Sequence, residues 1–174
     1  DGSLVATYRY ELADIEHTPV TVTYDVHADA SIHLTVHFPG IANADGNSNP
    51  LVFGVEWILP KAYNHTKFYS LGQEETYADR RHGTKLGVWE TTVVDDVQPY
   101  LVPQETGNHE GTRYMELTND EGHGVRVIAH DLAHTFSFSA LPYSSLMLEE
   151  ALHQEELPSP SYTFLRLLAA QQGV

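Results

Sequence analysis

Apolar and polar positions alternate with period two along much of this chain of 174 residues. Val20, Val22, Tyr24 and Val26 alternate with Thr21, Thr23 and Asp25. Ile32, Leu34, Val36 and Phe38 alternate with His33, Thr35 and His37. Successive side chains of a strand point to opposite faces, so each run predicts a half-buried strand. Ala28-Asp29-Ala30-Ser31 lies between the two runs and predicts a tight antiparallel connection. Tyr8 and Tyr10 point to an earlier strand. Leu51–Leu59 is nearly continuous in apolar character and predicts a central strand. Thr112–Thr118, Gly124–Ala129, Thr135–Ala140 and Tyr162–Leu168 predict further strands, and the Asn, Gly, Ser and Pro content of Asn43–Pro50 predicts a loop.

One helix is expected. Ser144 and Ser145 can cap it, and Leu148, Ala151 and Leu152 fall on one face at helical spacing. Pro158 and Pro160 close off what precedes them. Many strands and one short helix imply an all-β chain, an antiparallel β-sandwich. With no internal repeat, linker or low-complexity segment, residues 1–174 read as a single domain.

Composition narrows the partners. The chain is 41% apolar and carries a formal charge of −15, so neither nucleic acid nor an anionic membrane surface is an expected partner. Eleven histidines would offset part of that charge near pH 6, since a free imidazole titrates at about 6.5. There is no cysteine, which excludes disulfides and thiolate metal sites and fits a cytoplasmic location. No apolar run approaches the roughly 20 residues of a membrane span. The start at Asp1-Gly2-Ser3, without Met, suggests a trimmed or excised chain.

Candidate chemistry adds little. His130-Asp131-Leu132-Ala133-His134 has the spacing of a helical zinc motif, but its flanks, Val125, Val127, Phe136 and Phe138, are strand-like. On a strand the two histidines would stand roughly 13 Å apart, too far for one metal. His27, His33 and His37 form a second cluster. If both strands turn their apolar rows inward, His33 lies opposite either Asp25 or His27, on a solvated face. Acid–base hydrolysis needs two carboxyl groups flanking a bond, one with a raised pKa. Glu74 and Glu75 are adjacent and point apart in extended chain. Glu75 and Asp79 lie beside Arg80 and Arg81, which would lower a carboxyl pKa. Glu149-Glu150 and Glu155-Glu156 read as an exposed helix face and its exit. Trp57, Trp89 and Tyr100 could stack on a sugar, though core packing is the commoner role. No catalytic residue is assigned.

From about Leu51 onward the sequence resembles the small-chain domain of family 2 bacterial β-galactosidases. Phe68-Tyr69-Ser70-Leu71-Gly72-Gln73-Glu74-Glu75-Thr76-Tyr77-Ala78-Asp79-Arg80 is similar to that family's W-x-G-x-G-P-x-E-x-Y-x-D-R. Leu86-Gly87-Val88-Trp89-Glu90 follows, then Pro99-Tyr100-Leu101-Val102-Pro103-Gln104-Glu105-Thr106-Gly107-Asn108, then Phe136 to Tyr143 with His153 at the expected distance. Ser70, Gln73 and Ala78 stand where the family has Gly, Pro and Pro, so the loop path differs locally. Residues 1–50 carry a weaker likeness.

The resemblance implies part of a galactose-mutarotase-like supersandwich, truncated at both ends. The family's next residues would be Gly-Gly-Asp-Asp-Ser-Trp, whose Trp reaches the galactose pocket. It implies a non-catalytic segment of an enzyme that hydrolyses terminal β-D-galactose residues with two glutamates on a separate barrel. The implied partner is that barrel or a large subunit, with substrate met only through the whole enzyme. No cofactor is implied on this chain; magnesium and sodium belong elsewhere in the enzyme. Glu75, Tyr77, Asp79, Arg80, Gln104, Glu105, Asn108, Pro142, Tyr143 and His153 are expected to form a structural or domain-interface motif. Within it, Arg80 could hold two carboxylates in a fork. Self-association is expected through strand edges left without neighbours. The competing readings are a free-standing carbohydrate-binding module, with an exposed tryptophan platform, and an epimerase on the same fold. The second needs a converging His and carboxylate that no spacing identifies.

Overall fold

A computed structural model describes residues 2–13, 17–40 and 52–171. The chain divides into two compact units, Asp1–Pro50 and Leu51–Val174. The expected loop Asn43–Pro50 lies outside the described residues.

The first unit is one antiparallel sheet, β1 (Leu4–Leu12), β2 (Thr18–Val26) and β3 (Ile32–His37), with β2 in the middle. The expected turn is formed by Asp29, whose Oδ1 accepts from Ser31 N at 3.0 Å and Ser31 Oγ at 2.7 Å. Ala30 takes a left-handed φ of 68° to close it. The register places Asp25 opposite His33 and Thr21 opposite His37. This decides between the two pairings left open for His33. Within this row Asp25 Oδ2 lies 3.6 Å from His27 Nε2, and the His27 and His33 rings are 5.0 Å apart. Among the described residues no three His, Asp or Glu side chains gather so as to hold a metal ion.

The second unit holds two four-stranded antiparallel sheets. One runs β4 (Val52–Pro60), β11 (Tyr162–Gln171), β10 (Phe136–Leu141) and β7 (His109–Thr112). The other runs β6 (Leu86–Thr92), β5 (His65–Leu71), β8 (Tyr114–Thr118) and β9 (Gly124–Ile128). Phe68, Met115 and Leu117 from one sheet meet Phe138, Ala140 and Leu165 from the other in a shared buried core. This is a β-sandwich. Trp57 and Trp89 pack against that core, and Trp89 Nε1 donates to Ser70 O at 3.3 Å.

Three expectations need correction. β4 stands at the end of its sheet's strand order rather than in the centre. Its Phe53, Val55, Trp57 and Leu59 are half-buried while Val52, Glu56 and Ile58 are exposed, so the apolar Ile58 in the outward row masked a period of two. The interior strands are β11, buried on both faces from Thr163 to Arg166, and β10, buried from Ser137 to Leu141. Second, Thr112–Thr118 is not one strand. The chain changes sheets at Arg113, with His109–Thr112 pairing to β10 and Tyr114–Thr118 to β5 and β9. Third, α1 (Ser145–Glu150) is capped by Ser144, whose Oγ accepts from Met147 N at 3.2 Å, but it buries Leu148 and not Leu152. Leu152 falls beyond the helix end, where helical spacing no longer governs its direction. No helix among the described residues is long and apolar enough to cross a membrane.

Candidate functional site

The site begins where β5 ends at Leu71 and the chain turns at Gly72 with φ +76°. The following segment is strapped to residues 106–110. Thr76 N donates to Asn108 O at 2.7 Å, and Asn108 Nδ2 returns a bond to Thr76 O at 2.8 Å. Thr76 Oγ1 donates to Leu71 O at 3.3 Å and accepts from Glu110 N at 2.8 Å. Backbone polar groups that leave the sheet still need partners, and this strap supplies them.

It also sets Glu75 between two loops. Oε1 accepts from the Tyr100 hydroxyl and from Arg80 Nη2 at 2.9 Å. Oε2 accepts from Thr106 Oγ1 at 3.0 Å and Gly107 N at 2.9 Å. Gly107 can offer its N–H because its φ is +68°, and a Cβ there would meet Leu141 Cδ2 at 2.8 Å. Arg80 also donates to the Tyr100 hydroxyl from Nη1 and Nη2 at 3.2 Å, with its guanidinium 4.9 Å from the centre of the Tyr77 ring. Burial, then the bond to Glu75, pushes the Tyr100 hydroxyl pKa up.

A second cluster lies at the middle of β11. Arg166 donates from Nε to Glu56 at 3.0 Å, from Nη1 to Glu105 at 3.1 Å and from Nη2 to Tyr143 O at 3.5 Å. Burial holds the Glu105 carboxyl above its ordinary range; Arg166 opposes this and Glu75 adds to it. Tyr77 is fully buried, and its hydroxyl is pushed far up by burial and then by the negative fields of Glu105 and Glu75. Two more pairs complete the region, the first between an exposed arginine and a buried carboxylate, the second buried on both sides. Arg81 Nη1 bonds Glu110 Oε2 at 3.0 Å, and His109 Nε2 lies 2.9 Å from Asp96 Oδ2, its ring in contact with both Phe68 and Phe138, which also touch each other.

The residues singled out from sequence are therefore divided. Glu75, Tyr77, Arg80 and Asn108 come together around the strap. Glu105 and Tyr143 meet at Arg166, Gln104 is half-buried beside Glu105, and Pro142 is buried just after β10. Asp79 and His153 do not join them. Asp79 is exposed with no ion pair to Arg80 among the described residues, and His153 is exposed and bonds Glu156 at 3.3 Å. The fork that holds two carboxylates is Arg166. It was missed, although a lone charge inside the apolar run from Tyr162 to Leu168 is itself a signal that a buried partner must exist.

His130–His134 is a turn between β9 and β10, not a strand. Asp131 Oδ1 accepts from Ala133 N at 2.8 Å and His134 N at 2.9 Å, and His134 Nδ1 lies 2.8 Å from the same oxygen. On the outer face of the second sheet, a depression of about 310 Å³ is lined by His65, Lys67, Glu90 and Glu116. Lys67 Nζ sits 2.7 Å from Glu90, and its hydrogen bond lowers the Glu90 carboxyl pKa, the wrong direction for a general acid. Glu116 is paired with Arg126 at 3.1 Å.

A geometry of tied carboxylates suits a framework, and comparison with known proteins gives its kinship. The β-galactosidase small-chain family model matches residues 2–174. β-Galactosidase BgaC of Bifidobacterium adolescentis is 56% identical over 174 residues, all of this chain and 16% of that protein. A β-galactosidase of Streptococcus thermophilus is 38% identical over the same 174 residues, again 16% of its length. The β-galactosidase small subunit of Latilactobacillus sakei is 33% identical over 181 residues, covering 98% of this chain and 55% of that subunit. The chain thus spans a minor part of the first two relatives, and by the match along residues 2–174 it belongs to the β-galactosidase small-chain family.

Proposed function

We propose that this chain is a non-catalytic scaffold segment of a β-galactosidase acting on terminal β-D-galactose residues, with the reaction carried by glutamates on another portion of the enzyme. One observation carries the reading. Among the described residues 52–171 the buried and largely buried carboxylates are held by structural partners: Glu75 by four donors, Glu105 by Arg166, Glu110 by Arg81 and Asp96 by His109. A retaining glycosidase needs two carboxyl groups about 5 Å apart across an open cleft, one free to give its proton. Carboxylates that pin loops do not meet that need. The packing of Trp57 and Trp89 on the core favours this reading over a carbohydrate-binding module, whose stacking rings face solvent.

On this reading the sandwich is part of a larger supersandwich domain in the cytoplasm, needs no cofactor of its own, and meets substrate only beside a catalytic barrel or large subunit. Separated from them, the chain self-associates through unpaired strand edges, more readily as salt screens its charge of −15. The deciding assay measures hydrolysis of a chromogenic β-galactoside by the purified chain, by the rest of the enzyme, and by the two mixed. The chain alone should be inactive and the mixture should recover turnover. Activity that stays with the chain and vanishes on a point substitution within it would overturn the reading.

A further inference from the structure

We propose that Leu101, Val102, Leu146 and Leu152 form the apolar centre of the surface by which this segment docks on the catalytic portion of the enzyme. The inference rests on the scaffold reading and assigns it a face. Leu101 is 93% exposed and Leu152 is 65% exposed, with Val102 and Leu146 also open to solvent. Scattered apolar residues are normal on a surface, but a group of large ones on adjoining segments marks an interaction site. These segments adjoin because Gln154 Nε2 donates to Tyr100 O at 2.6 Å, placing the turn after α1 against the loop that carries Leu101.

Nor are the segments loose. The Tyr100 hydroxyl is anchored on Glu75, and Leu152 N donates to Glu156 Oε2 at 2.7 Å. Glu75 thus holds the Tyr100 hydroxyl while Gln154 holds its carbonyl oxygen, so Leu101 and Val102 are presented on a preorganised loop. Holding a contact in its bound shape reduces the ordering cost of association.

The occupant follows from length and charge. The chain covers 16% of two full-length relatives, so most of such an enzyme lies outside it, and a tethered surface enjoys a high effective concentration. Glu149, Glu150 and Glu155, close in sequence to Leu146 and Leu152, are exposed and have no ion pair among the described residues, which gives the patch an acidic border. A second copy would bring acidic rim against acidic rim, with −15 on each chain. A partner surface with an apolar centre and basic rim fits instead.

Cysteine footprinting of the whole enzyme tests this directly, since the chain has no cysteine of its own. Leu101→Cys and Leu152→Cys are alkylated under native conditions and in denaturant, with labelling read by peptide mass spectrometry. At least ten-fold protection at both positions is expected in the native enzyme; unprotected labelling overturns the docking face even if the enzyme is fully active. Leu101→Glu with Leu152→Glu should lower β-galactoside turnover at least ten-fold, while the paired Met variants keep it. Loss in both variants, or in neither, also overturns the proposal. The underlying reading fails separately, by full turnover in an enzyme lacking residues 1–174.

Discussion

Arg166 and Arg80 hold carboxylates in the same compact unit, Leu51–Val174, under opposite conditions. Arg166 sits mid-strand in β11 with its side chain 5% exposed, and binds both Glu56 and Glu105. Arg80 sits in a loop with its side chain 50% exposed, and binds one carboxylate that three other donors also hold. In the sheet cluster the arginine is the hub. In the loop cluster the hub is Glu75, and Arg80 is one spoke. A charge inside a sandwich must be compensated by its partners, so losing the partner costs far more than the pair contributes net. A charge at the surface has water as an alternative.

The comparison is broken most easily at Arg166. Arg166→Met keeps volume and removes the charge, leaving Glu105 without its cation. Expected destabilisation is about 3–5 kcal/mol, the range for breaking a buried pair from one side. Denaturant titration with the slope held constant reads it directly, and a loss below 1 kcal/mol would show that the cluster is already solvated. Glu75→Gln should cost less, about 2–3 kcal/mol. The amide keeps one accepting oxygen but turns an N–H₂ toward donors on its other side. Proteolysis within the loops 72–85 and 98–107 should rise with it, because the strap loses its centre. Arg80→Ala should cost about 1 kcal/mol or less, since Glu75 keeps Tyr100, Thr106 and Gly107. A cost equal to that of Arg166→Met would erase the distinction between hub and spoke.

Legibility in the sequence follows the same division. β2 and β3 could be read outright because their apolar and polar rows are chemically distinct. β5 could not, because its inward row is Thr66, Phe68 and Ser70, in which two of three residues are polar. Those hydroxyls are satisfied locally, Thr66 Oγ1 by Thr91 O and Ser70 Oγ by Gly72 O, a solution that pattern alone does not disclose. β6 and β7 were missed in the same way, β7 holding the buried His109 and Glu110. The Glu75 motif was legible as a block, yet its partners Tyr100, Thr106 and Gly107 lie 25 to 32 residues away. Sequence spacing suggested Asp79 as the second carboxylate because it is near in chain. Three-dimensional closure chose otherwise, and only Arg166, buried in a run of apolar neighbours, announced that a distant carboxylate had to meet it.

The smallest expected effect separates desolvation from ion pairing at Glu105. Its carboxyl pKa is raised, with burial as the largest cause, Arg166 pulling the other way and Glu75 reinforcing the rise. A folded-state pKa above the unfolded one means the folded chain binds the proton more tightly. Stability from that proton is fully present below the unfolded carboxyl pKa and is lost as pH rises through the folded one. Glu105→Gln imitates the protonated form and does not titrate. The variant should therefore gain on the native chain as pH rises from about 4 to about 7, even though the neutral amide gives Arg166 a weaker acceptor. Denaturation midpoints of the two chains across that window measure the difference. A variant that instead loses ground with rising pH would mean that Arg166 outweighs burial, with Glu105 ionised more readily in the fold than outside it. Arg166 would then be the force that governs the Glu105 carboxylate in spite of its burial.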